Sequence, residues 1–497
     1  MWAFSKALWI RCLSLCDTCV FKGLPKPSLI KKQVMKKIFL SASFLLAMAS
    51  AATAQTTVHY VELKEGQPIS AQPIQTVVQT NETPSAVRGR EIVVYPDIEF
   101  QTMDGIGGAF NEIGGEALMS LDTKAREEVM GNLFSKKKAG FAFCRTAVGA
   151  SDFGIDAYSY SETAEDYKME HFSIERERTS VIPYIQLAYQ MNPAMKLFAS
   201  PWSPPGWMKE SGLMDKGIET PATNRLKDND KIYNAYALYF SKYVQAYAKE
   251  GIKIDRLIVQ NECDFSTKYP SCVMPPAQMA KFVKNFLRPQ FQKDKINTEI
   301  WAGTFRSATT NVYSTEFAAN PDFLNCVDGL GIQYTKSIHI SDMNKLSNYK
   351  PSMHTEGVCF NGKNSMEQAF SRLEEVASYI NYGVNNHCYW NMILNETSKS
   401  GWDWKQNSLI VIDRTKKTVT YNPDYAVMVL LSKFMQPGSK RVASHSRETV
   451  MSIKQDGKMH LFVANPTEKD KWYTCTESGK PVALAKVPAQ SMAVITY

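Results

Sequence analysis

The chain has 497 residues, 44% of them hydrophobic and 21% charged, and a formal net charge of +8. Residues 1–54 hold eight of the Lys/Arg side chains and one Asp, so the remaining 443 residues balance 49 basic against 48 acidic groups. That near-neutrality removes the electrostatic case for a nucleic-acid or polyanionic partner, and the length admits a large barrel with an appendage.

At the N-terminal end, Met35-Lys36-Lys37 precedes an apolar run, Ile38 to Ala49, and then the small-residue site Ala52-Thr53-Ala54-Gln55. This is the layout of a secretory signal peptide over residues 35–54, and the run is too short to span a bilayer. A buried N-terminal helix is the alternative. Residues 1–34, with three of the ten cysteines, read as an over-extended frame whose start is Met35. The expectation is an exported protein, periplasmic or secreted, with no transmembrane segment in the mature chain. Gln55, rather than Cys, follows the cut and argues against a lipoprotein anchor.

Seven cysteines remain, Cys144, Cys263, Cys272, Cys326, Cys359, Cys388 and Cys475, an odd number without a CxxC pair. They read as scattered buried thiols, with pairing of Cys263 and Cys272 as the alternative. The seven histidines are dispersed and form no HExxH, so neither a metal nor a cofactor is expected.

Residues 55–95 carry short β-branched runs broken by Pro, Gly and Asn, at Val58–Leu63, Ile74–Gln79 and Glu91–Val94. Residues 96–432 alternate strand-like runs with helical patterns. The strands are expected at Phe100–Gly107, Phe141–Val148, Lys196–Ser200, Arg256–Asn261, Glu299–Thr304, Val327–Gln333, Ser352–Glu356 and Cys388–Asn391. Helices are expected at Thr123–Phe134, Thr179–Gln190, Asp230–Glu250, Pro276–Lys293 and Ser365–Tyr382. Residues 433–497 return to short strands. The pattern predicts an α/β protein, a (β/α)8 TIM barrel over 96–432, with a β-sandwich built from 55–95 and 433–497. An open parallel sheet is the competing fold.

Chemistry-bearing residues collect at the C-terminal ends of the expected strands, where barrels of this type place reacting groups. Glu262 closes Leu257-Ile258-Val259-Gln260-Asn261-Glu262, and Glu356 closes His354-Thr355-Glu356. A carboxylate directly after a buried apolar run is costly unless it is paired or used. Two of them facing each other across a barrel mouth suit the cleavage of a glycosidic bond. One carboxyl protonates the departing oxygen while the other attacks or stabilises the anomeric carbon. Glu262 is assigned as acid/base, because the neighbouring Asn261 can bond a sugar 2-hydroxyl, and Glu356 as nucleophile. Arg145 is expected to pair with that nucleophile and depress its pKa, and Asp152 to accept from sugar hydroxyls, although a barrel-rim ion pair would explain both equally. Trp202, in Ser200-Pro201-Trp202-Ser203-Pro204-Pro205-Gly206-Trp207, and Trp390 offer stacking faces, whereas Trp207 reads equally as loop packing. Gly401-Trp402-Asp403-Trp404 is either a subsite loop or an aromatic packing loop.

Taken in order, these motifs resemble glycoside hydrolase family 30, which includes lysosomal-type glucosylceramidases and microbial β-1,6-glucanases. The resemblance runs from Gln101 to Val442. It rests on Asp104-Gly105-Ile106-Gly107-Gly108-Ala109-Phe110, Arg145 through Asp152-Phe153, the tryptophan–proline loop, Gln260-Asn261-Glu262, Thr355-Glu356-Gly357, Trp390-Asn391 and the stretch from Phe434 to Val442. It implies a barrel with a β-sandwich, a retaining mechanism, and Arg145, Asp152, Trp202, Asn261 and Trp390 as sugar-pocket residues. Where glucosylceramidase-like members carry His-Trp-Tyr after strand six, this chain has Gln333-Tyr334-Thr335, so Gln333 and Tyr334 are expected to line the pocket. Together with the export signal, this departure favours a β-glucan such as β-1,6-glucan as substrate. The alternatives are glucosylceramide or small β-glucosides, and a non-catalytic carbohydrate-binding barrel.

Overall fold

The structure, a computed structural model, describes residues 55–80, 89–307 and 312–497. The expected signal peptide lies outside the described residues. Both chain ends supply strands to one nine-stranded, mostly antiparallel sheet. Its members are β1 (Gln55–Glu62), β2 (Gln75–Thr80), β3 (Arg90–Thr102), β15 (Lys440–Ser446), β16 (Met451–Gln455), β17 (Lys458–Asn465), β18 (Lys471–Glu477), β19 (Lys480–Val487) and β20 (Ser491–Thr496). The spatial order is β19-β18-β3-β15-β16-β17-β20-β1-β2. The sheet curls until its two ends meet, and Gln79 on β2 exchanges hydrogen bonds with the backbone of Lys486 on β19 at 2.8–2.9 Å. Alternate residues, among them Val58, Ile92, Val94, Leu461, Val463 and Ile495, fill the core so enclosed.

The barrel strands are β4 (Gly105–Phe110), β5 (Phe143–Ala147), β6 (Lys196–Ser200), β7 (Arg256–Ile258), β8 (Glu299–Ser307), β9 (Gly329–Thr335), β10 (Ser352–His354) and β11 (Asn386–Asn391). All are parallel, in the order β10-β9-β8-β7-β6-β5-β4-β11. At the seam between β10 and β11, side chains complete the closure. Asn386 accepts from His354 N and donates to His354 O, both at 2.9 Å, and Gly357 N donates to Cys388 O at 2.8 Å. Phe143, Phe198, Ile258, Trp301, Met353 and Cys388 fill the barrel interior as a separate apolar cluster.

The first expected barrel strand is misplaced. Phe100–Thr102 belongs to β3 of the terminal sheet, where Thr102 pairs with Lys440, and the barrel begins only at Gly105. Gly105, with φ +111°, makes the break between the two sheets. The glycines that follow serve packing rather than phosphate binding, since a Cβ on Gly107 would lie 2.1 Å from Phe143 O on the next strand. Between strands, helices such as Asp230–Lys249, capped by Asn229, and Met366–Ile380, opened by a Ser365/Gln368 capping box, cover the barrel. The expected helix Pro276–Lys293 is interrupted by a π-turn at Val283–Leu287. Strands β12 (Ile393–Asn395), β13 (Ile410–Asp413) and β14 (Thr418–Tyr421) form a small extra sheet after β11 that the sequence pattern did not announce. Cys263 and Cys272 are both free and buried. No helix among the described residues is long and apolar enough to cross a membrane.

Candidate active site

Arg145 organises the site. It lies on β5, fully buried, and its guanidinium contacts three strand ends at once. Nη1 donates to Glu356 Oε2 at 2.7 Å and to Thr355 O at 3.0 Å. Nη2 donates to Asn261 Oδ1 and to Ser200 Oγ, each at 2.8 Å, and Nε reaches the same Ser200 hydroxyl at 3.1 Å. A buried cation is tolerable only when its donors are met, and here each nitrogen is engaged. Arg145 therefore holds the ends of β5, β6, β7 and β10 in one arrangement. Ser200, which accepts twice, escaped the sequence reading because serine at a strand end carries no signal.

Glu262 follows β7 in the left-handed region, with φ 43°. For a glutamate that conformation costs about 1–3 kcal/mol, and surrounding contacts must impose it. Asn261 N donates to Pro201 O at 2.8 Å, and Glu262 N donates to Thr304 Oγ1 at 2.9 Å. Thr304 also donates to Asn261 Oδ1 at 3.1 Å. The tryptophan–proline loop and β8 thus pin the turn that presents Glu262. Tyr334, φ 50°, is held in the same way at the end of β9, and its hydroxyl donates to Glu356 Oε1.

Gln333 joins the two glutamates. Its Nε2 lies 3.3 Å from Glu262 Oε1 and 3.3 Å from Glu356 Oε2. Thr355 Oγ1 donates to Gln333 Oε1 at 2.7 Å, which fixes the amide with its nitrogen toward the carboxylates. The bridged oxygens are consequently separated by no more than twice 3.3 Å.

The electrostatics divide the two carboxyls. Burial, and secondarily the charge of Glu356, push Glu262 up to about 7. Glu356 is also raised by burial, while Arg145, Tyr334 and Gln333 all pull it back. The expectation that Arg145 would depress Glu356 outright is therefore corrected: its pull is present but burial outweighs it. Asp152 sits well above the usual carboxylate range, through burial and then the charges of Glu356 and Glu262. Its Oδ2 accepts from Trp390 Nε1 at 3.3 Å, and its Oδ1 is buried with no partner among the described residues.

Trp202 and Trp390 stack on each other, centroids 4.9 Å apart, and the Arg145 guanidinium lies 4.4 Å from the Trp202 ring. All nine residues singled out from the sequence, Glu262, Glu356, Arg145, Asp152, Trp202, Asn261, Gln333, Tyr334 and Trp390, are linked in this one constellation. Trp207 is outside it, donating to Ser161 O at 2.9 Å and packing edge-on against Tyr167. Tyr269 was missed. Its phenol, in the loop after Glu262, is raised by burial and then by the charges of Glu262, Asp152 and Glu356. Beside Glu356, His354 and His387 lie near Glu375, their donor atoms within 4.8 Å of one another. The two rings are parallel within 10° and 4.1 Å apart, so their in-plane lone pairs run side by side instead of converging on one ion, and the group does not fit a metal.

Residues 103–314 match the model of the glycosyl hydrolase family 30 TIM-barrel domain. That stretch carries the family's domain from β4 through β8. Putative glucosylceramidase 3 of Caenorhabditis elegans is 27% identical over 364 residues, 69% of this chain and 68% of that protein. Endo-1,6-beta-D-glucanase neg1 of Aspergillus fumigatus is 29% identical over 215 residues, 41% of this chain and 43% of that one. The solved endo-beta1,6-glucanase BT3312 superposes with a TM-score of 0.74 at 22% identity, covering 89% of this chain and 99% of its own. The chain is thus similar to family 30 glycoside hydrolases, and its structure joins a barrel of that kind to a β-rich sheet built from both chain ends.

Proposed function

We propose that this protein cleaves β-glucosidic bonds by double displacement, with Glu356 as nucleophile and Glu262 as acid/base, and that its substrate is a β-1,6-glucan. The observation that carries the mechanism is the shared hydrogen-bond donor. With Gln333 Nε2 at 3.3 Å from an oxygen of each glutamate, the carboxyls fit the roughly 5 Å spacing of retaining glycosidases better than the roughly 6.5–9.5 Å gap that leaves room for an inverting water. Glu356, held by Arg145 and Tyr334, attacks the anomeric carbon. Glu262, protonated below about 7, gives its proton to the departing glycosidic oxygen as that bond breaks. The glycosyl ester on Glu356 carries no charge, so the second cause of the raised Glu262 pKa disappears. Glu262, having given up its proton, then stays ionised and accepts one from the water that releases the sugar and restores Glu356. Asn261, Asp152, Trp202 and Trp390 form the walls that receive the sugar.

The β-1,6-glucan reading draws on the Aspergillus relative and on Gln333-Tyr334-Thr335. The worm relative supports glucosylceramide or small β-glucosides as the second reading. We further propose that the chain is exported through residues 35–54, and that the barrel to residue 432 forms the catalytic domain while the two chain ends form the β domain, with the boundary expected at 95/96 moved past β3. Incubating residues 55–497 with β-1,6-glucan, beside Glu356→Gln, tests the substrate. A ladder of gluco-oligosaccharides from wild type only supports it. Turnover of an aryl β-glucoside or glucosylceramide without that ladder moves the substrate and keeps the mechanism.

A further inference from the structure

After β12 the chain forms a loop, residues 396–409, whose tryptophans the mechanism leaves unused. The loop is fixed at several points. Gly401 N donates to Gly154 O at 2.9 Å, two residues from Asp152. The seat is tight, because a Cβ on Gly401 would lie 1.7 Å from Ile155 O. Asn391, which follows Trp390, donates to Gln406 Oε1 at 2.7 Å. Lys399 Nζ pairs with Asp403 Oδ1 at 2.6 Å, and Ser400 N donates to Trp404 O at 3.1 Å, closing the loop on itself. Trp402 is used as an anchor, since its indole nitrogen donates to Asp215 Oδ2 at 3.2 Å.

Trp404 has no such duty. It is 39% exposed on this rigid loop, and its indole N–H has no partner among the described residues. Its ring centroid is 6.3 Å from that of Tyr269, in the loop after Glu262, and Lys268 Nζ lies 5.8 Å from the indole. An exposed indole on a braced loop, in ring contact with a phenol of the loop that follows Glu262, presents what a pyranose needs: an apolar face to stack on, and hydrogen-bonding groups, here the indole N–H and an ammonium, for its hydroxyls.

We propose that Trp404, with Tyr269 inside it, forms a stacking platform for a sugar unit adjoining the one at the cleavage point, so that the enzyme prefers chains to isolated β-glucosides. This rests on the glycosidase reading above and goes beyond it to the length of the substrate. The test compares kcat/KM on linear β-1,6-gluco-oligosaccharides of increasing length with kcat/KM on an aryl β-glucoside, for wild type, Trp404→Ala and Trp404→Phe. In wild type the ratio of long to short substrate is expected to exceed one. Trp404→Ala is expected to lower that ratio roughly tenfold, chiefly through KM, and Trp404→Phe to restore most of it. A flat length dependence in wild type, or an equal loss on both substrates in Trp404→Ala, overturns the platform. If wild type cleaves neither substrate, the underlying glycosidase assignment falls instead.

Discussion

Replacing Glu356 by Gln should change the titration of Glu262, although the two residues lie on different strands. Burial is the larger cause of the raised Glu262 pKa and the negative charge of Glu356 the next. Their oxygens share Gln333 Nε2 at 3.3 Å each, which puts them no more than twice 3.3 Å apart. At an effective dielectric of about 20, two unit charges at that separation interact by about 3 kcal/mol, equivalent to roughly a hundredfold in proton affinity. Glu356→Gln keeps the shape and removes the charge, so Glu262 should titrate clearly below about 7. It should remain above the ordinary carboxylate value of 4.5, because burial persists. Carboxyl carbon NMR on glutamate-labelled protein, with the Glu262 resonance assigned by its loss in Glu262→Gln, measures this directly. If the Glu262 midpoint stays near 7 in Glu356→Gln, the carboxylates are not coupled and the switch from acid to base has no electrostatic source.

Other outcomes follow from the same contacts. Tyr334→Phe removes one donor to the Glu356 carboxylate; a hydrogen bond to a charged group is worth about 1.5–3 kcal/mol, so kcat/KM should fall roughly 10- to 100-fold and the acid limb of its pH profile should move upward. Because Glu262 is raised in the folded state, its contribution to stability is intact below 4.5 and lost as pH climbs through about 7. Glu262→Gln should therefore be more stable to urea than wild type at pH 8, by about 3 kcal/mol at most, with the advantage vanishing near pH 4. Gly401→Ala must push its loop off Ile155, costing about 1–3 kcal/mol in a urea melt, and should impair cleavage of long substrates more than of an aryl glucoside.

How far the sequence reveals the structure depends on the kind of interaction. Lys196–Ser200 and Thr123–Phe134 are found where pattern alone predicts them, because the first is a short run buried on both faces from Leu197 onward and the second opens on the Asp122 cap and buries one face. Glu262 and Glu356 are visible because a carboxylate at the end of a buried run demands an explanation. The split at Gly105 is not visible, since Phe100–Gly107 reads as one apolar run, and only the pairing of Thr102 with Lys440 assigns its first half to the other sheet. Likewise Ser200, Thr304 and Tyr269 act through contacts between residues far apart in the chain, with ordinary side chains that no local pattern distinguishes. The net rise of Glu356 was misjudged for a related reason: proximity of Arg145 is legible in a motif, whereas the depth of burial that outweighs it is a property of the assembled barrel.

The central claim is that Glu356 attacks the sugar and carries it as a covalent ester. A 2-deoxy-2-fluoro-β-glucoside with an activated leaving group slows the breakdown of such an ester, so the intermediate accumulates and its peptide can be sequenced by mass spectrometry. Stoichiometric inactivation is expected, with the fluoroglucosyl mass on the peptide containing Thr355-Glu356-Gly357 and none on Glu356→Gln. Labelling at Glu262, or turnover of the probe with inverted anomeric configuration and no adduct, would contradict it.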